Sequence, residues 1–273
     1  MQKNHSGIIK RFTSRLHLGI NKRQQFIIAV LVSSLGLFLS ENIFSKAGVT
    51  IAIVLSFVTD FFLYLSLKED LEDNFFPQIF ILPFFYSLSF GLFYFLVPAR
   101  LLTKIIMTTL YAIGLYSVYL SQNIFTVSSI RTIALLAGAR TVSLVITMLS
   151  FFFLTDVLLS LHLHVVLTFF LLSLFSFPLI LHSIWTYTLS RSLKAETLWV
   201  VSLTLCITEI AVVLWFWPST PTVLALFLSG IFYIIISLSH VWLERRLFKS
   251  VIWEYLWVSL IIFIVLFLFT NWS

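Results

Sequence analysis

The sequence predicts an all-α, polytopic transmembrane helix bundle of about nine spans, and three observations carry that reading. Hydrophobic residues make up 60% of the 273 and charged residues only 10%, where an average soluble chain carries about a quarter charged. Mean hydropathy is +1.07. The apolar residues also fall into runs near the roughly 20 that a helix needs to cross about 30 Å of hydrocarbon, with short connectors between them. This composition excludes a soluble enzyme, a nucleic-acid-binding domain and a disordered chain.

Residues 1–25 read as a basic cytoplasmic segment. Ile8, Phe12, Leu16 and Ile20 recur every four residues among Lys10, Arg11, Arg15, Lys22 and Arg23, with no acidic residue. The pattern fits an amphipathic helix on an anionic leaflet, or simply charges that hold this end inside. Residues 26–270 read as the transmembrane domain, with span cores at 26–39, 48–67, 76–97, 101–120, 140–161, 165–185, 198–217, 223–242 and 251–269. Residues 121–139 are ambiguous: a loop, an interfacial helix or the start of a long fifth span. Eight spans is the competing count.

Lysine and arginine concentrate in cytoplasmic connectors. With the N-terminus inside, the nine-span drawing puts 14 of them on the cytoplasmic side and leaves Lys46, Arg100 and Lys104 outside. The expected setting is therefore a cytoplasmic (inner) membrane, with an external C-terminus. Tryptophan prefers the headgroup level; Trp185, Trp199, Trp242, Trp253 and Trp257 fall toward cytoplasmic span ends, and Trp215, Trp217 and Trp272 toward outer ends.

Acidic residues inside an apolar span pair, face a cavity or mark function, because an isolated charge there costs several kcal/mol. Three qualify: Asp60, Asp156 and Glu209. Glu209 shares a helical face with Ser202 and Cys206, at i, i+4 and i+7. Lys104, Thr108 and Tyr111 repeat that spacing on the fourth span, and Arg140, Ser143 and Thr147 fall at i, i+3 and i+7 on the fifth. The expectation is three polar stripes facing other helices or a hydrated path, with Glu209 near mid-bilayer. Asp60 is expected toward the cytoplasmic end of its span, and Asp156 toward the outer end, within reach of Lys104. A weak echo links Thr59-Asp60 with Thr155-Asp156, each followed by a proline, Pro83 or Pro178.

No cofactor, metal or catalytic motif stands out. The single Cys206 excludes an intramolecular disulfide, and His162 and His164, two residues apart, do not share a helical face. Ser229 and His240 lie too far apart on one helix for a hydrogen-bonded pair. The partner expected is the lipid bilayer, with a small solute or lipid as ligand; nucleic acid is not implied, and protein partners are not readable.

The stretch Gln122-Asn123-Ile124-Phe125-Thr126-Val127-Ser128-Ser129-Ile130-Arg131-Thr132-Ile133-Ala134-Leu135-Leu136, running on to Thr155-Asp156, resembles uncharacterised multi-span bacterial membrane proteins grouped as a domain of unknown function. The resemblance implies a bacterial inner-membrane setting and supplies no site. The leading expectation is a protein that moves or binds a small solute or lipid along the three stripes. A membrane enzyme for a lipid-linked substrate, using Asp156, His162 and His164 at an outer mouth, is the alternative, and a non-catalytic assembly subunit a third.

Overall fold

The computed structural model describes residues 21–43, 48–71, 76–97, 100–128, 134–189 and 194–270. Among them nine long helices and no strand are found: α1 Lys22–Ile43, α2 Gly48–Leu71, α3 Ile81–Leu96, α4 Leu101–Ser128, α5 Leu136–Ser160, α6 Val165–Thr188, α7 Lys194–Trp215, α8 Pro221–Leu243 and α9 Lys249–Leu268. A 3₁₀ turn, Pro77–Phe80, leads into α3. All nine helices, α3 together with that turn, are long and apolar enough to cross a membrane. The chain is a multi-pass membrane bundle.

Hydrocarbon leaves no water for backbone groups, so each span satisfies its amides internally as helix. Many serines and threonines inside the spans do the same for their hydroxyls. Ser56 donates to Ala52 O at 2.8 Å, Thr204 to Val200 O at 2.8 Å and Ser229 to Ala225 O at 2.8 Å.

The most enclosed helices are α5 and α3. Around them α5 packs against α3, α4, α6 and α8, while α1 leans on α2 and α4, α7 on α6 and α8, and α9 on α8. Small residues set the closest approaches. A Cβ on Gly91 would stand 2.8 Å from Ala52 Cβ, so α3 lies almost on the backbone of α2.

We call the end of the bundle where α1 starts the proximal end. Lys22, Arg23, Lys68, Arg140, Lys194, Arg245, Arg246 and Lys249 lie at or near it, and Arg100 and Lys104 at the distal end. Lys22 Nζ bonds both oxygens of Asp70, at 2.8 and 2.7 Å, and ties α1 to α2 there.

Several expectations shift. Residues 121–128 neither loop out nor begin the fifth span; they continue α4, whose Ser121, Gln122, Phe125 and Thr126 turn into the core. Pro83 falls in the first turn of α3, just past the 3₁₀ turn, where a missing amide hydrogen costs least. Trp185 is not an interfacial residue: it is fully buried between Phe76 and Phe125. Trp257, eight residues into α9, lies about 12 Å along that helix, too deep for the headgroup level. The expected N-terminal amphipathic helix lies mostly outside the described residues.

Candidate functional site

Polar side chains converge in the proximal half of the bundle. Tyr119, Gln122 and Thr126 fall at i, i+3 and i+7 on α4, so they share one face, and all three are fully buried. Tyr119 Oη donates to Thr59 O of α2 at 2.8 Å, and Thr126 Oγ1 to Gln122 O at 2.9 Å. Gln122 Nε2 lies 3.1 Å from His182 Nε2 of α6. Phe125 and Trp185 wall the imidazole at centroid distances of 6.4 and 6.0 Å.

Not every polar atom here has a partner. Asp60 Oδ1, Gln78 Oε1, Asn123 Oδ1, His182 Nδ1 and Trp185 Nε1 are buried without a hydrogen bond. Each such atom costs about 1–3 kcal/mol, and native interiors contain few. These five come from α2, the 3₁₀ turn, α4 and α6.

The next turn of α6 leads toward the proximal surface. His240 of α8 places Nε2 at 3.1 Å from Ser183 Oγ and 3.2 Å from Ser183 O. Its ring stacks on Tyr187 at 3.8 Å and 18°. On Tyr187 the Arg140 guanidinium also rests, 4.4 Å from the ring centroid. Arg140 Nε donates to Thr186 O at 3.0 Å and Nη2 to Tyr187 O at 3.1 Å, where a cation meets the negative end of a helix. Glu244 stands 3.8 Å from Arg140 Nη1. Leu189, at φ 46°, ends α6 in a left-handed cap.

A second buried group lies near mid-membrane. Tyr86 Oη donates to the carbonyls of Leu110 and Tyr111 at 3.2 and 3.1 Å, and Tyr111 Oη shares a 3.0 Å hydrogen bond with Ser87 Oγ. The two phenol rings stack at 5.6 Å.

A family model described as "Protein of unknown function (DUF5656)" matches residues 24–269. The chain belongs to this family. No curated protein and no solved structure matches it. Membership covers nearly the whole bundle, so every helix described above falls within the family's domain.

Of the nine residues singled out from sequence, the structure turns some inward and others out. Arg140 joins the proximal cluster, and Ser143 and Thr147 below it are buried, as their stripe predicts. Thr108 is half-buried with its hydroxyl unpartnered, Tyr111 is fully buried, and Lys104 is half-buried near the distal end. Asp156 is buried 4 residues from the distal end of α5; the Thr222 hydroxyl of α8 bonds it, and its Oδ1 stays unpartnered. Asp60 lies eight residues, about 12 Å, inside the Lys68 end of its span.

The stripe on α7 does not face the other described helices. Ser202, Cys206 and Glu209 are all exposed on the outer surface, because Val200, Thr204, Ile207, Thr208 and Ala211 take the inner face. Glu209 is also off-centre, about 9 Å from the Trp215 end, since α7 begins at Lys194 and ends at Trp215. His162 and His164 are exposed, and His162 Nδ1 is 2.8 Å from Ser160 O of its own chain segment. Among the described residues no three metal-ligating side chains come together.

Sequence reading gave no role to Tyr119, Gln122, His182, Ser183 or Tyr187, read Trp185 only as an interfacial residue, and read His240 only against Ser229. The signal available was neutral polar residues at helical spacing, Tyr119 with Gln122 and Thr126, and Ser183 with Tyr187.

Proposed function

We propose that the protein binds, and moves along its proximal half, a lipid or small solute that enters from the proximal face. The observation that carries this reading is the set of unpartnered buried polar atoms on Asp60, Gln78, Asn123, His182 and Trp185. A dry core would exclude such groups, whereas a ligand or water path would complete their hydrogen bonds. The basic rim of Arg140, Arg245, Arg246 and Lys249 suits an anionic headgroup. The same charge asymmetry supports a cytoplasmic proximal face in a bacterial inner membrane.

Cysteine accessibility tests this. In a Cys206→Ser background, Gln122→Cys and Thr186→Cys should react with a membrane-impermeant thiol reagent applied from the cytoplasmic side, while Leu115→Cys in the apolar core should not. Silence at both polar positions in folded protein would remove the path, and labelling from the opposite side would invert the topology.

A further inference from the structure

We propose that Ser183 and His240 form a nucleophile–base pair acting on an acyl ester of a membrane lipid. The inference rests on the binding reading above and goes beyond it by naming the bond attacked. Three observations carry it.

The first is geometry. Ser183 Oγ and His240 Nε2 are 3.1 Å apart across two helices that the chain brings together from positions 57 residues apart. With the imidazole proton on Nδ1, Nε2 accepts from the hydroxyl, the arrangement a general base needs. In the other tautomer Nε2–H donates to Ser183 O at 3.2 Å, so the histidine is held in the same place in both states.

The second is the device that holds the base. An activated serine needs its histidine oriented by a third group. Here Tyr187, one turn beyond Ser183 on α6, stacks face to face on the ring at 3.8 Å. Arg140 rests on Tyr187 and is pinned by two carbonyls of the same helix end. Tyr187 is a positioning residue in this scheme.

The third is depth. Ser183 lies five residues from the end of α6 at Thr188, about 7.5 Å inside the span. That is the last quarter of α6 before the proximal end, the side from which the ester bonds of a glycerolipid would approach. A lipid whose anionic headgroup meets the basic proximal rim would bring its esters toward Ser183 from that side. Ser183 and His240 are both buried, and Tyr187, with Arg140 of the rim resting on it, lies against the His240 ring.

The step balances without a further reagent. Ser183 Oγ bonds to the ester carbonyl carbon while its proton passes to His240 Nε2. The carbon–oxygen bond to the glycerol side then breaks, and the departing oxygen takes that proton, leaving an acyl-serine. Water attacks the acyl carbon, gives a proton to the imidazole, and releases the fatty acid as Ser183 recovers its hydrogen.

The test is labelling of the full-length protein, in vesicles of phosphatidylcholine and phosphatidylglycerol, with a fluorophosphonate–biotin probe. The expected result is one adduct, mapped by mass spectrometry to Ser183, absent in Ser183→Ala and about a hundredfold slower in His240→Gln. Wild-type protein that labels no faster than Ser183→Ala overturns the pair. Ser183→Cys in the Cys206→Ser background separates the two failures. If that cysteine reacts with a polar thiol reagent while the wild type takes no phosphonate, the pair is inert and the binding path stands; if neither reacts, both fall. Gel filtration and circular dichroism on each variant show that the comparison is between folded proteins.

Discussion

At the level of single residues, the interior is decided by where a side chain finds hydrogen-bonding atoms. Tyr86 reaches two carbonyls of α4 only because position 114 has no Cβ: an added one would stand 2.0 Å from the phenol oxygen. Gly114→Ala should therefore destabilise the bundle by about 1–3 kcal/mol, against the gain of under 1 kcal/mol that alanine ordinarily gives in a helix. Combining it with Tyr86→Leu should cost less than the two changes summed, read as thermal midpoints in detergent. Asp60 behaves oppositely. Its Oδ1 has no partner, so Asp60→Leu should hold or raise the midpoint while lowering thiol access at Gln122→Cys; a midpoint drop would make Asp60 a structural residue. Glu209 lies inside its span, but both its depth and its direction differ from the expectation. Spacing along α7 placed it with Ser202 and Cys206, but nothing in that spacing tells which face of a helix with apolar residues all round looks inward. Its side chain also leans toward the helix N-terminus, away from the nearer interface, so it gains little water by reaching. Glu209→Leu should improve membrane insertion by roughly 2 kcal/mol in a glycosylation-based insertion assay and leave labelling at Gln122→Cys and Thr186→Cys unchanged.

For the helices as elements, hydropathy located every span, since a run of some 20 apolar residues has no other solution in a bilayer. It failed where α4 carries a run of polar residues near its proximal end. Ser121, Gln122 and Asn123 lower the local hydropathy, yet α4 runs on to Ser128, with Ser121 donating to its own helix and Gln122 meeting His182 of α6 rather than lipid. The same blindness hid the site. Acids in spans are conspicuous in a sequence, whereas Ser183, His182 and Tyr187 become meaningful only when α8 and α4 are packed against α6. The cross-helix pairing that makes His240 a partner of Ser183, and not of Ser229 on its own helix, is a tertiary fact. Tyr187→Ala should loosen that pairing and slow phosphonate labelling, with Tyr187→Phe retaining it because the stacked ring survives.

Over the whole molecule, charge distribution and architecture agree on one axis. Eight lysines and arginines of the described helices and turns gather at or near the proximal end and two at the distal end, and the nine described spans put Lys22 and Leu268 at opposite ends of the bundle. A reporter that works only in the cytoplasm should be silent when fused after Ser273 and active when fused before Met1; activity at Ser273 would refute the assigned orientation. The periphery of the bundle has a consequence for biogenesis. Only Leu266 of α9 is fully buried, and the helix is held by its packing on α8, by the close fit of Gly230 against Ile262, and by a distal strap in which Trp217 Nε1 donates to Thr270 Oγ1 at 2.8 Å. Ser183, Tyr187, His240 and the other side chains of the reactive centre all precede this helix in the chain. Assembly can thus run vectorially, with the reactive centre complete on the eighth helix and the ninth docking afterwards as a cover. A chain stopped at Phe248 should still insert, and should still bring Ser183 and His240 together.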